Sequence, residues 1–324
     1  MYARSPLALA VAAMALVADV NVASAQSITR SWNNPPQAPV AGVEHHTFPS
    51  AALSTDVGYN ILLPPNYEST SRRYPVIYQL HGAGGDENNS VEDVAPRVIE
   101  AFEAGTLPPL IVVFVNGPRW SFYADSPDGR VPSETVFIRE LIPHIDSTYR
   151  TIVGREGRAI QGMSMGGAGA LAHALKHSNL FGSIVAYAPA LLEPQPAPDG
   201  RLTLLRRGGT HEGAPPPSPQ LSASSQQAFY DMFGGRPDLY AQYDPFVLLP
   251  LRAERLAQSL PIRIVIGTAD GLWNANQLFH QLLLDHGYSH DFVVVPDVGH
   301  SLSGLLEVDG IEGIRFQVES NGWR

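Results

Sequence analysis

Short apolar runs that alternate with helix-like periodicity predict an α/β fold, a mostly parallel central sheet with helices on both faces. Three observations carry this. Six runs of four to six residues, rich in Val and Ile, have the continuous apolar character of strands buried on both faces of a parallel sheet. Between them, apolar residues recur at i, i+3, i+4 and i+7, the spacing of a helix with one buried face. Several runs end in glycine-containing turns, at the strand ends where open α/β sheets bind ligands.

The first elements precede the alternation. Residues 45–53 and 57–63 read as two strands around a turn at Ser54-Thr55-Asp56, and Pro64-Pro65-Asn66 ends the second. The alternation begins with a run at 75–80 and continues with runs at 110–115, 159–162, 183–188, 262–266 and 292–295. Residues 133–149 form a helix with Ile138, Leu141, Ile142 and Ile145 on one face, and Pro143 is expected to kink it. Ala168, Leu171, Ala172 and Leu175 repeat the spacing, and residues 274–286 make a third helix ended by Gly287. One region breaks the rhythm: residues 189–219 hold eight of the 28 prolines, and a polar helical stretch follows at 222–233. Residues 190–250 therefore read as an insertion beside or over the functional face, ahead of the strand at 262–266.

Composition narrows the function. The chain has 324 residues, 44% of them hydrophobic, enough for one large core plus a modest insertion. Its net charge is −10, with one lysine (Lys176) and 20 scattered arginines, so no basic stripe invites nucleic acid. The absence of cysteine removes disulfides, thiolate metal sites and a cysteine nucleophile. Arg4, the apolar stretch 7–17 and Ala23-Ser24-Ala25 follow the order of a cleaved export signal over residues 1–25. The mature chain is then expected to start near Gln26, in a periplasm or the medium, with residues 26–44 as a tether and 45–324 as the folded domain. The apolar stretch is too short to span a membrane, and no later one is long enough.

Gly162-Met163-Ser164-Met165-Gly166 matches G-x-S-x-G between a strand and a helix. A nucleophilic serine needs a tight strand-to-helix turn, so its neighbours at −2 and +2 must be nearly free of side chains. The turn lifts the hydroxyl out of the sheet and aims a helix N-terminus at the reacting carbonyl. The bland alternative is a glycine loop that only packs a helix on the sheet. A serine hydroxyl also needs a base. The strand at 262–266 runs into Gly267-Thr268-Ala269-Asp270-Gly271, and the last runs into Pro296-Asp297-Val298-Gly299-His300-Ser301. His300 is the candidate base and Asp270 its orienter. Asp297, three residues before His300, is the rival acid, although it reads better as a turn former. The second requirement is a set of donors for a tetrahedral oxyanion. The N–H of Met165 is one, and Ala83, in the loop His81-Gly82-Ala83-Gly84-Gly85, is assigned the other. His173 and His177 have metal-ligand spacing but no H-E-x-x-H, and read as a solvent-facing pair. No metal or other cofactor is expected.

With these residues in place the chain resembles the esterase family of α/β-hydrolases that includes feruloyl esterases, S-formylglutathione hydrolase, siderophore esterases and mycolyltransferases. The resemblance lies in Leu80 to Glu87, in Ser121-Phe122-Tyr123-Ala124-Asp125-Ser126, in the serine motif with Gly167, in Glu140 to Ile145, and in Gly267-Thr268-Ala269-Asp270 with Gly299-His300. It implies the α/β-hydrolase fold, a Ser164–Asp270–His300 triad, an oxyanion hole from Ala83 and Met165, and Trp120 and Tyr123 near the substrate. Trp273, close after Asp270, is a further candidate contact, although all three aromatics could simply pack the sheet edge. The expected activity is hydrolysis of a small-molecule or carbohydrate-linked ester, a feruloyl or sugar ester among them. Acyl transfer through the same triad, a catalytically silent binding protein and a peptidase are the alternatives. The acyl group, the alcohol and the oligomeric state are not legible.

Overall fold

The apolar runs pair into one sheet of eight strands. In the computed structural model, which describes residues 32–36, 38–196, 202–208, 223–256 and 259–324, the strands are β1 (Val43–Ser50), β2 (Thr55–Leu62), β3 (Val76–Leu80), β4 (Ile111–Val115), β5 (Arg158–Met163), β6 (Ser183–Tyr187), β9 (Ile262–Gly267) and β10 (Asp291–Val295). Their order is β1-β2-β4-β3-β5-β6-β9-β10. β1 and β2 pair antiparallel, β2 joins β4 antiparallel, and all later pairings are parallel. This is the doubly wound α/β-hydrolase architecture expected from the sequence.

Alternate side chains of each central strand enter two separate cores. Val76, Tyr78 and Leu80 face one with Ile111, Val113 and Val115, while Ile77, Val112 and Phe114 face the other. Helices cover both faces, which is why these strands are mostly apolar; the buried Gln79 and Gln161 of β3 and β5 bond to each other at 2.8 Å. On one side lie α1 (Val91–Glu103), α8 (Leu302–Asp309) and α9 (Glu312–Asn321), through Val94, Val98, Leu305 and Ile314. On the other lie α2 (Ile142–Thr148), α3 (Met165–Lys176) and α7 (Trp273–Asp285), through Ile142, Leu171, Leu175 and Phe279. Burying each such aliphatic or aromatic side chain contributes about 1.5–3 kcal/mol. β10 is the exception: as an edge strand it stays partly exposed, so its apolar run did not mean burial on both faces.

Three local expectations shift. The first turn lies at residues 51–54, because Ser54 takes the left-handed conformation (φ 54°) and Thr55 already pairs with Ser50. The helix expected at 133–149 divides into a π segment, Thr135–Leu141, and then α2, whose first turn holds Pro143. Pro143 has no N–H to donate backward, and the helix changes from π to α spacing just before it. The presumed tether is fastened: Trp32 is buried, its carbonyl accepts from Gly58 N (2.6 Å), and Asn34 donates twice to Glu87 (2.6 and 2.8 Å). The export signal lies outside the described residues.

Residues 190–250 carry more structure than a loop. They hold the antiparallel hairpin β7 (Leu192–Pro196) and β8 (Leu202–Arg206), then α4 (Ala223–Phe233), α5 (Pro237–Tyr240) and the start of α6 (Pro245–Leu256). Phe229, Phe233 and Tyr240 pack edge-on or tilted around the ring of Phe122, with centroids 5.8–6.3 Å from it. Arg207 and the buried Asp244 form an ion pair at 2.9 Å.

Candidate active site

The serine turn is built by close backbone approach. Ser164 sits between β5 and α3 at φ 59° and ψ −115°, a conformation unusual for a residue with a side chain. A Cβ at Gly162 would lie 2.5 Å from the Gly166 carbonyl, and one at Gly166 would lie 2.3 Å from the Leu80 carbonyl oxygen. Both glycines are therefore required by packing against backbone, which cannot yield. The turn is held by Ser164 N donating to Tyr187 O and by Ala190 N donating to Ser164 O, each at 2.9 Å.

Two loops at neighbouring strand ends deliver the other groups. Ser164 Oγ lies 2.8 Å from His300 Nε2, and His300 Nδ1 lies 2.7 Å from Asp270 Oδ2. A carboxylate only accepts, so Nδ1 carries the proton and Nε2 presents its lone pair to the serine. The other Asp270 oxygen accepts from Leu272 N at 2.8 Å, and the carboxylate is buried. The acid loop is sewn to the histidine loop by Thr268 N donating to Val295 O (2.9 Å) and Ala269 N to Val298 O (3.1 Å). A Cβ on Gly267 would strike Val298 O, so that strand end must be glycine. Asp297 takes the other role considered for it, an exposed left-handed turn residue whose N–H donates to Thr268 Oγ1. Ser301 caps α8 by accepting from Gly304 N at 3.1 Å, which fixes the chain just beyond His300. The His300 side chain is 41% exposed, so water reaches it.

The anion loop lies against the serine: a Cβ on Gly82 would sit 3.5 Å from Ser164 Cβ. Gly84 N donates to Arg119 O (2.6 Å) and Gly85 N to Gly82 O (3.1 Å). Among the described residues the N–H groups of Ala83 and Met165 have no backbone acceptor. His81 is buried beneath the loop, with its ring nitrogens 2.8 Å from Gly82 O and 2.9 Å from Gly117 O. Burial lowers its pKa, which favours the neutral ring.

The aromatic candidates separate. Trp120 and Trp273 are half-buried beside these loops. Tyr123 is a correction: it is fully buried, and its hydroxyl donates to His81 O at 3.2 Å, so it props the anion loop from behind instead of meeting a substrate. Its ring fills the space that Gly117 and Gly169 leave open.

The His173–His177 pair is a second correction. His173 is completely buried and donates through Nε2 to Tyr123 O at 3.0 Å. Burial holds its pKa down to about 4. His177 Nε2 lies 2.6 Å from Glu134 Oε1, while Lys176 Nζ and Tyr243 Oη donate to Glu134 Oε2, each at 2.6 Å. Burial alone would raise the Glu134 pKa, but these three hydrogen bonds hold it well below the usual carboxylate range. Glu134, His173 and His177 bring ligand atoms within 4.8 Å of one another, the one such group among the described residues. The Lys176 ammonium already supplies the positive charge that a metal would bring. The signal for burial was present: α3 is built from Ala, Gly and Leu all round, the pattern of a helix with no solvent face.

The comparisons with known proteins agree with this architecture. The model of the family described as "Putative esterase" matches residues 50–285. Esterase Rv1288 of Mycobacterium tuberculosis is 35% identical over 152 residues, 46% of this chain and 32% of that protein. The chain thus spans about a third of the length of that relative. A ferulic acid esterase structure aligns with a TM-score of 0.66 at 23% identity, covering 86% of this chain and 98% of that one. An S-formylglutathione hydrolase from Agrobacterium tumefaciens aligns with a TM-score of 0.66 at 21% identity, covering 90% and 100%. The chain belongs to this esterase family and has the α/β-hydrolase fold.

Proposed function

We propose that the protein is a serine carboxylesterase that hydrolyses its substrate through an acyl-enzyme. The observation that carries this reading is the hydrogen-bonded sequence Asp270–His300–Ser164, with lengths of 2.7 and 2.8 Å. Ser164 Oγ attacks the ester carbonyl carbon as its proton passes to His300 Nε2. The oxygen that gains charge is received by the N–H groups of Ala83 and Met165, the second at the N-terminus of α3. Asp270 holds the imidazole in the required tautomer and stabilises the imidazolium. Collapse breaks the bond to the alcohol oxygen, which takes the proton from Nε2 and leaves. A water molecule, deprotonated by the same nitrogen, then attacks the acyl-enzyme and releases the acid and free Ser164.

The exposure of His300 favours water over another acceptor, and so favours hydrolysis over acyl transfer. Trp120 and Trp273 are proposed to contact the substrate, with feruloyl and sugar esters the first to try. The A-x-A site after the N-terminal apolar stretch supports export, with a mature start near Gln26. Turnover of a panel of aryl, sugar and hydroxycinnamoyl esters by purified protein tests the reading. Activity is expected on at least one class and is expected to vanish in Ser164→Ala. Equal turnover by that variant would refute the mechanism.

A further inference from the structure

We infer that the substrate is an ester carrying a carboxylate, read by Arg119 and Arg206 from the two sides of the triad; this rests on the esterase reading above. Arg119 belongs to the anion loop's own support. Its Nε donates to Gly84 O at 2.7 Å, one residue beyond Ala83, and its carbonyl accepts from Gly84 N. Among the described residues its terminal nitrogens make no hydrogen bond, and Nη2 lies 3.9 Å from where a Gly84 Cβ would be. Arg206 arrives from the opposite loop. It ends β8, and its Nη1 would lie 2.1 Å from a Cβ on Gly271, the residue after Asp270. The Arg206 guanidinium thus occupies the space beside the acid loop that a side chain at 271 would take.

Neither arginine has a carboxylate within 4.0 Å among the described residues. Arg207, the next residue, is instead matched to Asp244 at 2.9 Å. Asp86, the nearby acid of the anion loop, turns its Oδ1 into its own turn, accepting from Asn88 N at 2.9 Å. In a chain of net charge −10, two half-buried guanidinium groups with no carboxylate partner among the described residues lie beside the anion loop and the acid loop, on either side of the strand that leads to Ser164. A planar fork with spare N–H donors matches a carboxylate in two-point contact, and a site of this sign draws anionic ligands toward it.

The test compares matched esters. On the acyl side, 4-nitrophenyl glutarate carries a carboxylate where 4-nitrophenyl pentanoate carries a methyl group. On the alcohol side, 4-carboxyphenyl acetate is compared with its methyl ester. The anionic member of at least one pair is expected to have the higher kcat/KM. That preference is expected to shrink with added salt, because screening weakens attraction between charges. Arg119→Gln and Arg206→Gln should each lower the anionic-to-neutral ratio about tenfold, as for a lost hydrogen bond to a charged group. Arg206→Lys, which keeps the charge but loses the fork, should keep only part of it. The ratio cancels any general loss caused by loosening the Gly84 contact. A wild-type ratio below one in both pairs, or a ratio unchanged in the double Gln variant, overturns the proposal. If none of the four esters is turned over and Ser164 also resists a fluorophosphonate, the esterase reading itself fails, and this one with it.

Discussion

Two of the carboxylate–histidine pairs among the described residues are nearly equal in length and lie in very different surroundings. Asp270 and His300 lie 2.7 Å apart, and Glu134 and His177 lie 2.6 Å apart. Their surroundings separate them. The first pair ends on a serine hydroxyl at the strand ends, with the imidazole 41% exposed and, among the described residues, the nearby N–H groups of Ala83 and Met165 without a backbone acceptor. The second ends on Lys176 and Tyr243 in a partly buried cluster that joins α3 to the 117–126 loop and to the insertion; Asp125 N donates to the same tyrosine at 3.3 Å. On the proposed mechanism the same hydrogen bond prepares a base in one place, while in the other it fastens the fold. What differs is access and the third partner.

Breaking the first pair is expected to remove activity and spare the fold. Ser164→Ala and His300→Ala should each lose about ten-thousandfold or more in kcat, and the double variant should lose little beyond either. Circular dichroism and kcat on one good ester would check both halves. Asp270→Asn should lose less than either, because it misaligns the base without deleting it. Asp297→Asn should stay near wild type; the reverse order of these two acids would move the orienting role to Asp297.

Breaking the second pair is expected to do the opposite. Glu134→Gln leaves Lys176 without its counter-charge and should cost about 2 kcal/mol of stability while kcat changes far less. Denaturant unfolding read beside kcat would show it, and a loss confined to kcat would mean that Glu134 belongs to the chemistry.

A smaller effect separates the pairs by pH. Burial holds the His173 pKa down to about 4, against an ordinary 6.5. Between those values the unfolded chain binds more protons than the native one. Stability is therefore fully present above pH 6.5 and falls as pH drops toward 4. Glu134 acts further into acid: its pKa is held below the ordinary 4.5, so its contribution is present above that value and is lost as pH falls beneath it. Melting temperatures from pH 7 to 4 should decline, and His173→Gln should flatten the slope. An unchanged slope would show that His173 is not the group responsible.

Legibility in the sequence followed the range of the interaction. The central strands were readable because most positions on both faces of each are apolar, and the serine turn because Gly162 and Gly166 meet backbone at fixed short distance. Helix α1 carried a readable stripe, Val91, Val94, Ala95 and Val98, and went unread; Pro96 stands inside it. The insertion could not be read, since its order comes from scattered Phe229, Phe233 and Tyr240 converging on Phe122, more than a hundred residues away in the chain. Tyr123 was misplaced for a related reason. A residue next to the site in sequence can point beneath it, and only the glycines at 117 and 169 reveal the space it fills.

The central claim is that Ser164 alone, among the serines of this chain, is an activated nucleophile. Treatment with a fluorophosphonate, followed by intact-mass and peptide mass spectrometry, tests it most directly. The expected result is a single adduct on Ser164, absent in Ser164→Ala and formed far more slowly in His300→Ala, which lacks the base. An unmodified protein, or an adduct elsewhere with Ser164 free, would contradict it.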